Sequence, residues 1–341
     1  MMDRPPSLRA VAVTALALAF AVGGCDHVTE PDGPSLIDRF GPFTLVEPLT
    51  ADTTAVDFAA GGAVTFSAQF NKQTDWVLEI VGQQSGAVRR IEGTSNALTA
   101  QNARWTGRTT ELPLFKEEPV TASLFFPTEV GSDTTRVDLA VLSTRAYPGN
   151  VVADFEAASM ADSRVDVGNF EFELRGAGIS AEVPPGEGDG FFLFRGVEPP
   201  SGGTRNFFVG LIDIVPRPSG SYFAVPTTEP EGLFVNFFLY GFGTPNTIAV
   251  VQLVADANGN GVFNDGTDAV FEVYNEPVEF EGWRLVSVPL SETPITQAQA
   301  GQLVNVRVLL ISDDSNQPAT PLPVEFGIDY ITFTAGGPLQ L

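Results

Sequence analysis

The feature that most limits what this chain can fold into is a period of two. AVTFSAQF at 63–70 and DWVLEIVG at 75–82 place apolar residues at alternate positions, and AVRRIEG at 87–93 follows the turn Gln84-Ser85-Gly86. A strand turns successive side chains to opposite faces, so this alternation predicts antiparallel strands with one face on a core. After a turn cluster at 146–150 the pattern resumes in VVADFEA, FEFELRG, GFFLFRG, NFFVGLIDI, GLFVNFFLYGFG, TIAVVQLVAD, AVFEVY, GWRLVSVPLSE, LVNVRVLLIS and VEFGIDYITFT. Gly, Pro and Asn separate these runs, and only ITQAQAGQ at 295–302 reads as a helical turn. The expected fold is all-β: a first sandwich over 42–147, then a larger two-sheet sandwich over 148–341.

The first 24 residues, MMDRPPSLRAVAVTALALAFAVGG, have a basic start, an apolar run from Ala10 to Val22 and small residues before Cys25. They read as an export signal, too short to span a bilayer, which takes about 20 apolar residues. Val22-Gly23-Gly24-Cys25 resembles the lipobox of bacterial lipoproteins. That resemblance implies a lipid on Cys25, membrane attachment through this anchor alone, and residence at the outer membrane or cell surface. The plain alternative is a secretory signal cleaved beside a cysteine. DHVTEPDGPSLIDRFG after it is acidic and aperiodic, so 25–41 reads as a tether.

Cys25 and His27 are the only cysteine and histidine. Thiol, histidine-base and zinc chemistry therefore have no residues in the expected folded part. With Asp3, Arg4 and Arg9 lost with the leader, 16 basic residues face 41 acidic ones, a formal charge of −25. Such a surface repels nucleic acid and anionic headgroups.

Two further resemblances follow from longer stretches. WVLEIVGQQSGAVRRIEG, then ARWTGRTTELPLF and VTASLFFP, resembles the immunoglobulin-like domain of flagellar hook-capping proteins and of many secreted enzymes, with Trp76 and Trp105 as core anchors. Over 151–334, Asp154-Phe155-Glu156 at the start, GWRLVSVPLSE at 282–292 and the closing Phe326-Gly327-Ile328-Asp329-Tyr330-Ile331 resemble galactose-binding-like jelly rolls, which include many carbohydrate-binding modules. The likeness implies a jelly roll and a glycan partner. It also implies a structural calcium where the neighbouring first and last strands bring Asp154 or Glu156 to Asp329, with backbone carbonyls completing the six to eight oxygens. The other reading of these acids is strand-end residues facing water.

A second calcium candidate is read from spacing. Asp256, Asn258 and Asn260 stand at positions one, three and five of DANGNGVFNDGTDAVFEV, Gly261 at six, and Val262 at seven offers a carbonyl. Position twelve is Thr267, where the motif wants a bidentate glutamate; Asp268 comes one place late and strands flank the loop. Such a site would bind only weakly, at about 10⁻⁴–10⁻³ M. The alternative is a metal-free hairpin tip with Asn-Gly turns and Asp side chains on nearby amides.

Sugar recognition needs aromatic faces for C–H surfaces and polar groups for hydroxyls, for which Tyr222, Tyr240, Tyr274 and Trp283 are the candidates. The resulting expectation is a non-catalytic, lipid-anchored glycan binder stiffened by calcium. A structural or adhesive surface protein is the alternative, and a carboxylate-dependent glycoside hydrolase ranks below both.

Overall fold

Among the described residues, seven strands precede residue 144: β1 (Leu45–Ala51), β2 (Ala55–Asp57), β3 (Val64–Gly82), β4 (Val88–Leu98), β5 (Arg104–Trp105), β6 (Pro119–Phe125) and β7 (Thr135–Ser143). The computed structural model describes residues 41–156, 163–169, 177–197, 207–313 and 323–341. The leader, Cys25, nearly all of the 25–41 tether and the run FEFELRG lie outside them. Thr44–Leu341 form one compact unit.

The axis of the first half is β3, whose 19 residues keep the two-residue period almost throughout. Its first part pairs with β1 and β5, its second with β4 and β6, and β7 and β2 extend the sheet beyond β6. The period is strong enough to bury Lys72 and Thr74 in phase with the apolar positions. Both are paired there, since Glu129 accepts from Lys72 Nζ at 3.1 Å and from Thr74 Oγ1 at 2.9 Å. Burying those groups unpaired would cost several kcal/mol, roughly.

Trp76 and Trp105 are each 1% exposed, the core anchors their surroundings predict. Trp76 donates from Nε1 to Ser95 Oγ at 2.8 Å and lies opposite Gly93 across the β3–β4 ladder. Only glycine fits at 93, because a Cβ would sit 2.5 Å from the indole. Trp105 meets Phe58 and Phe115 edge-on at 4.7 and 4.8 Å.

Eleven strands follow among the described residues: β8 (Asn150–Ala153), β9 (Ser163–Asn169), β10 (Gly178–Ser180), β11 (Phe191–Val197), β12 (Phe207–Pro216), β13 (Leu233–Phe242), β14 (Thr247–Ala255), β15 (Ala269–Pro277), β16 (Glu281–Pro289), β17 (Leu303–Ser312) and β18 (Pro323–Ala335). They form two sheets of six and five strands, ordered β10-β11-β18-β13-β16 with β8 on β18, and β15-β14-β17-β12-β9. Every pairing within these two sheets is antiparallel, and the chain repeatedly crosses from one sheet to the other, as in a jelly roll. The first and last strands, β8 and β18, are neighbours as expected. The strand at 163–169 was not legible as one; SRVDVGN carries Gly and Asn and only two valines. The expected helical turn is a single-turn helix, Gln297–Ala300, closed by a capping box between Thr296 and Gln299.

Between the sheets lies the main core, with Phe194, Phe237, Phe326, Phe333, Leu253 and Val308 among its buried members. The outer face of the six-stranded sheet is covered as well. Leu114, from the first half, packs with Phe238, Tyr330 and Leu339, and its amide donates to Gly186 O at 2.8 Å. Asn236, fully buried on β13, donates to Thr332 O and Thr334 Oγ1 and accepts from Leu339 N–H, which ties down the C-terminal segment. These contacts explain why β13 is buried on both faces although strands of this kind usually wet one.

Candidate functional site

The loop from Asp256 to Asp268 joins β14 to β15 and is organised by its own side chains. Asp256 is buried, and its Oδ1 accepts from the amides of Asn258 (2.9 Å) and Gly259 (2.8 Å). Its Oδ2 accepts from the Gly261 amide (2.6 Å) and the Tyr222 hydroxyl (3.0 Å). Four donors fill the four lone-pair directions of a carboxylate. Desolvation pushes this carboxyl up, but the amides of Gly261, Gly259 and Asn258 and the Tyr222 hydroxyl together hold it below its ordinary value. Asn258 Oδ1 and Asn260 Oδ1 accept from the amides two residues on, at 3.1 and 2.8 Å. Asp268 reaches back across the loop: Oδ1 accepts from Ala257 N–H at 3.1 Å and Oδ2 from Asn264 N–H at 2.7 Å. The loop is thus a hairpin tip in which aspartate and asparagine oxygens replace the missing ladder bonds.

This loop walls a cleft of about 520 Å³, within the usual range for small-molecule sites. The facing wall is Val215-Pro216-Arg217-Pro218-Ser219, where the chain leaves β12, and the lining is completed by Gly261, Val262, Phe263 and Val304. The two walls meet at Gly261 and Gly220, joined by a Gly220 N–H bond to Gly261 O at 3.1 Å. Gly261 has φ of +67°, and a Cβ there would lie 2.7 Å from the Gly220 backbone, so the closure needs glycine on both counts.

Phe263 is held in place from behind. The Arg307 guanidinium lies 5.2 Å from its ring centroid, within cation–π range. Arg307 itself is clamped by Asp213, Nε to Oδ1 at 2.7 Å and Nη2 to Oδ2 at 3.1 Å, and touches Asp265 at 3.3 Å. Asn305 Nδ2 adds a 2.7 Å bond to the same Asp213 oxygen. By strand register Asp213, Arg307, Gln252 and Glu272 form one polar row across four strands of the five-stranded sheet. Leu211, Leu309 and Val250 form the next row, and cluster with Ile248 and Ile311.

The four expected aromatic residues are not one site. Tyr222 stands behind the loop, bonded to Asp256. Tyr274 packs edge-on against Phe237 at 5.5 Å, and burial raises its hydroxyl pKa. Tyr240 and Trp283 are cross-strand partners with ring centroids 5.1 Å apart. Trp283 also meets Phe191 at 5.4 Å and donates from Nε1 to Pro184 O at 2.8 Å, so the indole is pinned on the outer face of the six-stranded sheet. Arg217 and Phe263 were not foreseen. The signals were present in the Pro-Arg-Pro turn at 216–218 and in an aromatic set among loop residues, away from any alternation.

Just past the end of β8, Asp154 and Glu156 lie near Asp329, which stands in the middle of β18 and not at a strand end, with Glu187 as an unforeseen fourth. Asp329 is fully buried; Oδ2 accepts from Glu187 N–H and Oδ1 from Tyr330 N–H, both at 2.8 Å. Burial raises its carboxyl well above the ordinary range, the charges of Glu187 and Glu156 adding to the effect and the two amides offsetting only part. Burial likewise raises Asp154, and burial followed by the charges of Asp154, Glu156 and Asp189 pushes Glu187 up to about 7. Glu156 Oε1 accepts from the amides of Asp189 and Gly190. Among the described residues no three carboxylate, histidine or cysteine side chains converge as a ready metal cage. A cation at either place would draw most of its oxygens from carbonyls and side-chain amides, and in the loop it would compete with bonds already made.

No protein-family model matches the chain, and no curated protein matches it. Solved structures similar to it include a carbohydrate-binding module of the β-sandwich superfamily, at 11% identity and a TM-score of 0.37, covering 86% of this chain and 98% of that one. Another is SGBP-B from a complex xyloglucan utilization locus in Bacteroides uniformis, at 12% and 0.36, covering 86% and 73%. A third is the family 11 carbohydrate-binding module from Clostridium thermocellum in complex with a β-1,3-1,4-mixed-linked tetrasaccharide, at 12% and 0.33, covering 57% and 99%. At such scores the likeness fixes neither the details of this fold nor a ligand.

Proposed function

We propose that the chain is a non-catalytic glycan-binding protein of the cell envelope whose ligand sits in the cleft between 215–219 and 261–263. The observation that carries this is the cleft itself. It has the volume of a saccharide site, apolar walls from Phe263, Val262, Pro216 and Pro218, and Arg217 and Ser219 as its polar side chains. Phe263 and the proline rings would meet sugar C–H faces, while the guanidinium and hydroxyl take oxygens. The described residues that line it offer no carboxylate to act as acid or nucleophile.

In this reading the lipid on Cys25 anchors the protein at the outer membrane or surface, and the first sandwich, of immunoglobulin-like type, is its spacer. Calcium takes a stabilising part, held weakly by Asp256, Asn258, Asn260, the Val262 carbonyl and Asp268 or by Asp154, Glu156 and Asp329.

A glycan array probed with the purified full-length chain and with Phe263→Ala tests the proposal. Binding to at least one glycan class that the substitution weakens by tenfold or more supports it. No binding to any glycan would move the assignment to a structural or adhesive protein.

A further inference from the structure

Five cations of this acid-rich chain are held in ion pairs among the described residues. Arg90 pairs with Glu79, Arg195 with Glu182 and Glu325, Arg307 with Asp213 and Asp265, Lys72 with Glu129 and Lys116 with Asp189. Arg217 is the charged residue of the cleft: it is exposed, lines the cleft and has no ion pair or hydrogen bond to any described residue. The nearest wall's carboxylates are already occupied, Asp256 by three amides and Tyr222, Asp268 by two amides, Asp213 and Asp265 by Arg307. Among the described residues, the cleft therefore presents a guanidinium with no anion paired to it.

Several backbone groups of the lining are already engaged. The carbonyls of Pro218 and Gly261 already accept, from the Ser221 hydroxyl at 2.5 Å and the Gly220 amide at 3.1 Å. The amides of Gly261 and Val262 already donate, to Asp256 and Asn260. Of the lining side chains, only Arg217 and Ser219 carry polar atoms, and a guanidinium donates without accepting. A neutral sugar hydroxyl gains most where donors and acceptors alternate; a carboxylate only accepts, and its two oxygens match the guanidinium fork. Proline on either side of Arg217 limits the backbone states from which the group is presented, which lowers the entropy lost on binding.

We infer that the cleft selects acidic glycans, with the carboxylate of a uronic acid residue on Arg217 and the sugar face on Phe263. This rests on the glycan reading above and names the ligand class for the same cleft. The formal charge of −24 opposes the approach of such a chain, but at about 0.15 M salt the field decays over roughly 8 Å. Selectivity is therefore expected in the lifetime of the complex rather than in its rate of formation.

The test is calorimetric titration of the full-length protein and of Arg217→Gln at physiological salt. The probes are short oligomers of galacturonate, glucuronate and mannuronate, each beside its methyl ester, with neutral glycans from the array as a separate arm. The expected result is that one acid binds about tenfold more tightly than its ester and that Arg217→Gln abolishes this difference, weakening acid binding about tenfold more than ester binding. Equal affinity for acid and ester, or binding of neutral glycans alone, overturns acid selectivity and leaves the glycan reading standing. Failure of every arm overturns both.

Discussion

Replacing Glu187 with glutamine should stabilise the protein above neutral pH and leave it unchanged in mild acid. Glu187 lies in the loop before β11, among Asp154, Glu156, Asp189 and Asp329, and its carboxyl is pushed from the ordinary 4.5 to about 7. A group that holds its proton more tightly when folded contributes stability below its unfolded value, and that contribution is lost as pH rises through the folded one. For Glu187 the window runs from about pH 4.5 to 7, and a shift of this size corresponds to about 3 kcal/mol. Asp329, raised by burial, adds to the slope in the same direction, and the cluster titrates as a unit. The assay is urea unfolding of both proteins from pH 4 to 9, with chelator present so that no cation neutralises the cluster. Glu187→Gln should gain up to about 3 kcal/mol over the parent at pH 8 and match it near pH 4.5. A variant no more stable than the parent at pH 8, or a difference independent of pH, would refute the reasoning. The comparison between the two proteins removes the general repulsion of an acidic surface, which both share.

Three further outcomes follow from packing and charge. Gly93→Ala should destabilise by about 1–3 kcal/mol in chemical denaturation, because the new methyl meets the Trp76 indole at 2.5 Å. Leu114→Ala should cost about 2–5 kcal/mol and raise hydrogen exchange at Phe238, Tyr330 and Leu339, since Leu114 closes that cluster from the first half of the chain. Millimolar calcium should raise the melting temperature relative to chelator, with half the effect at about 0.1–1 mM; no shift up to 10 mM would remove calcium from the proposal.

Much of the architecture was legible because it rests on local pattern. The period of two in 63–82 becomes β3, and even Lys72 and Thr74 obey it. The neighbouring first and last strands followed from the jelly-roll resemblance and stand as β8 on β18. Alternation failed on β13, where Asn236 and Phe238 are buried on the face that should be wet. Residues 112–114 and the C-terminal segment cover that face, and neither contact leaves a mark in the local sequence.

The candidate site was only half legible for a related reason. Composition marked Asp256–Asp268 as a structured loop, and its oxygens do organise it. Its opposite wall, 215–219, lies some forty residues earlier and is brought across by the register of β12, β17 and β14. Phe263 gains meaning only from Arg307 behind it, and Glu187 only from the fold of its loop onto the middle of β18. Tyr240 and Trp283 have the residue types of a sugar platform, yet the indole is engaged with Phe191 and Pro184.

The most direct measurement of the central claim is hydrogen exchange with and without a glycan that binds. Amides at 217, 219 and 261–263 should be protected on binding, with those around Tyr240 and Trp283 unchanged. Protection centred on Tyr240, Trp283 and Phe191, with the cleft unaffected, would contradict the account.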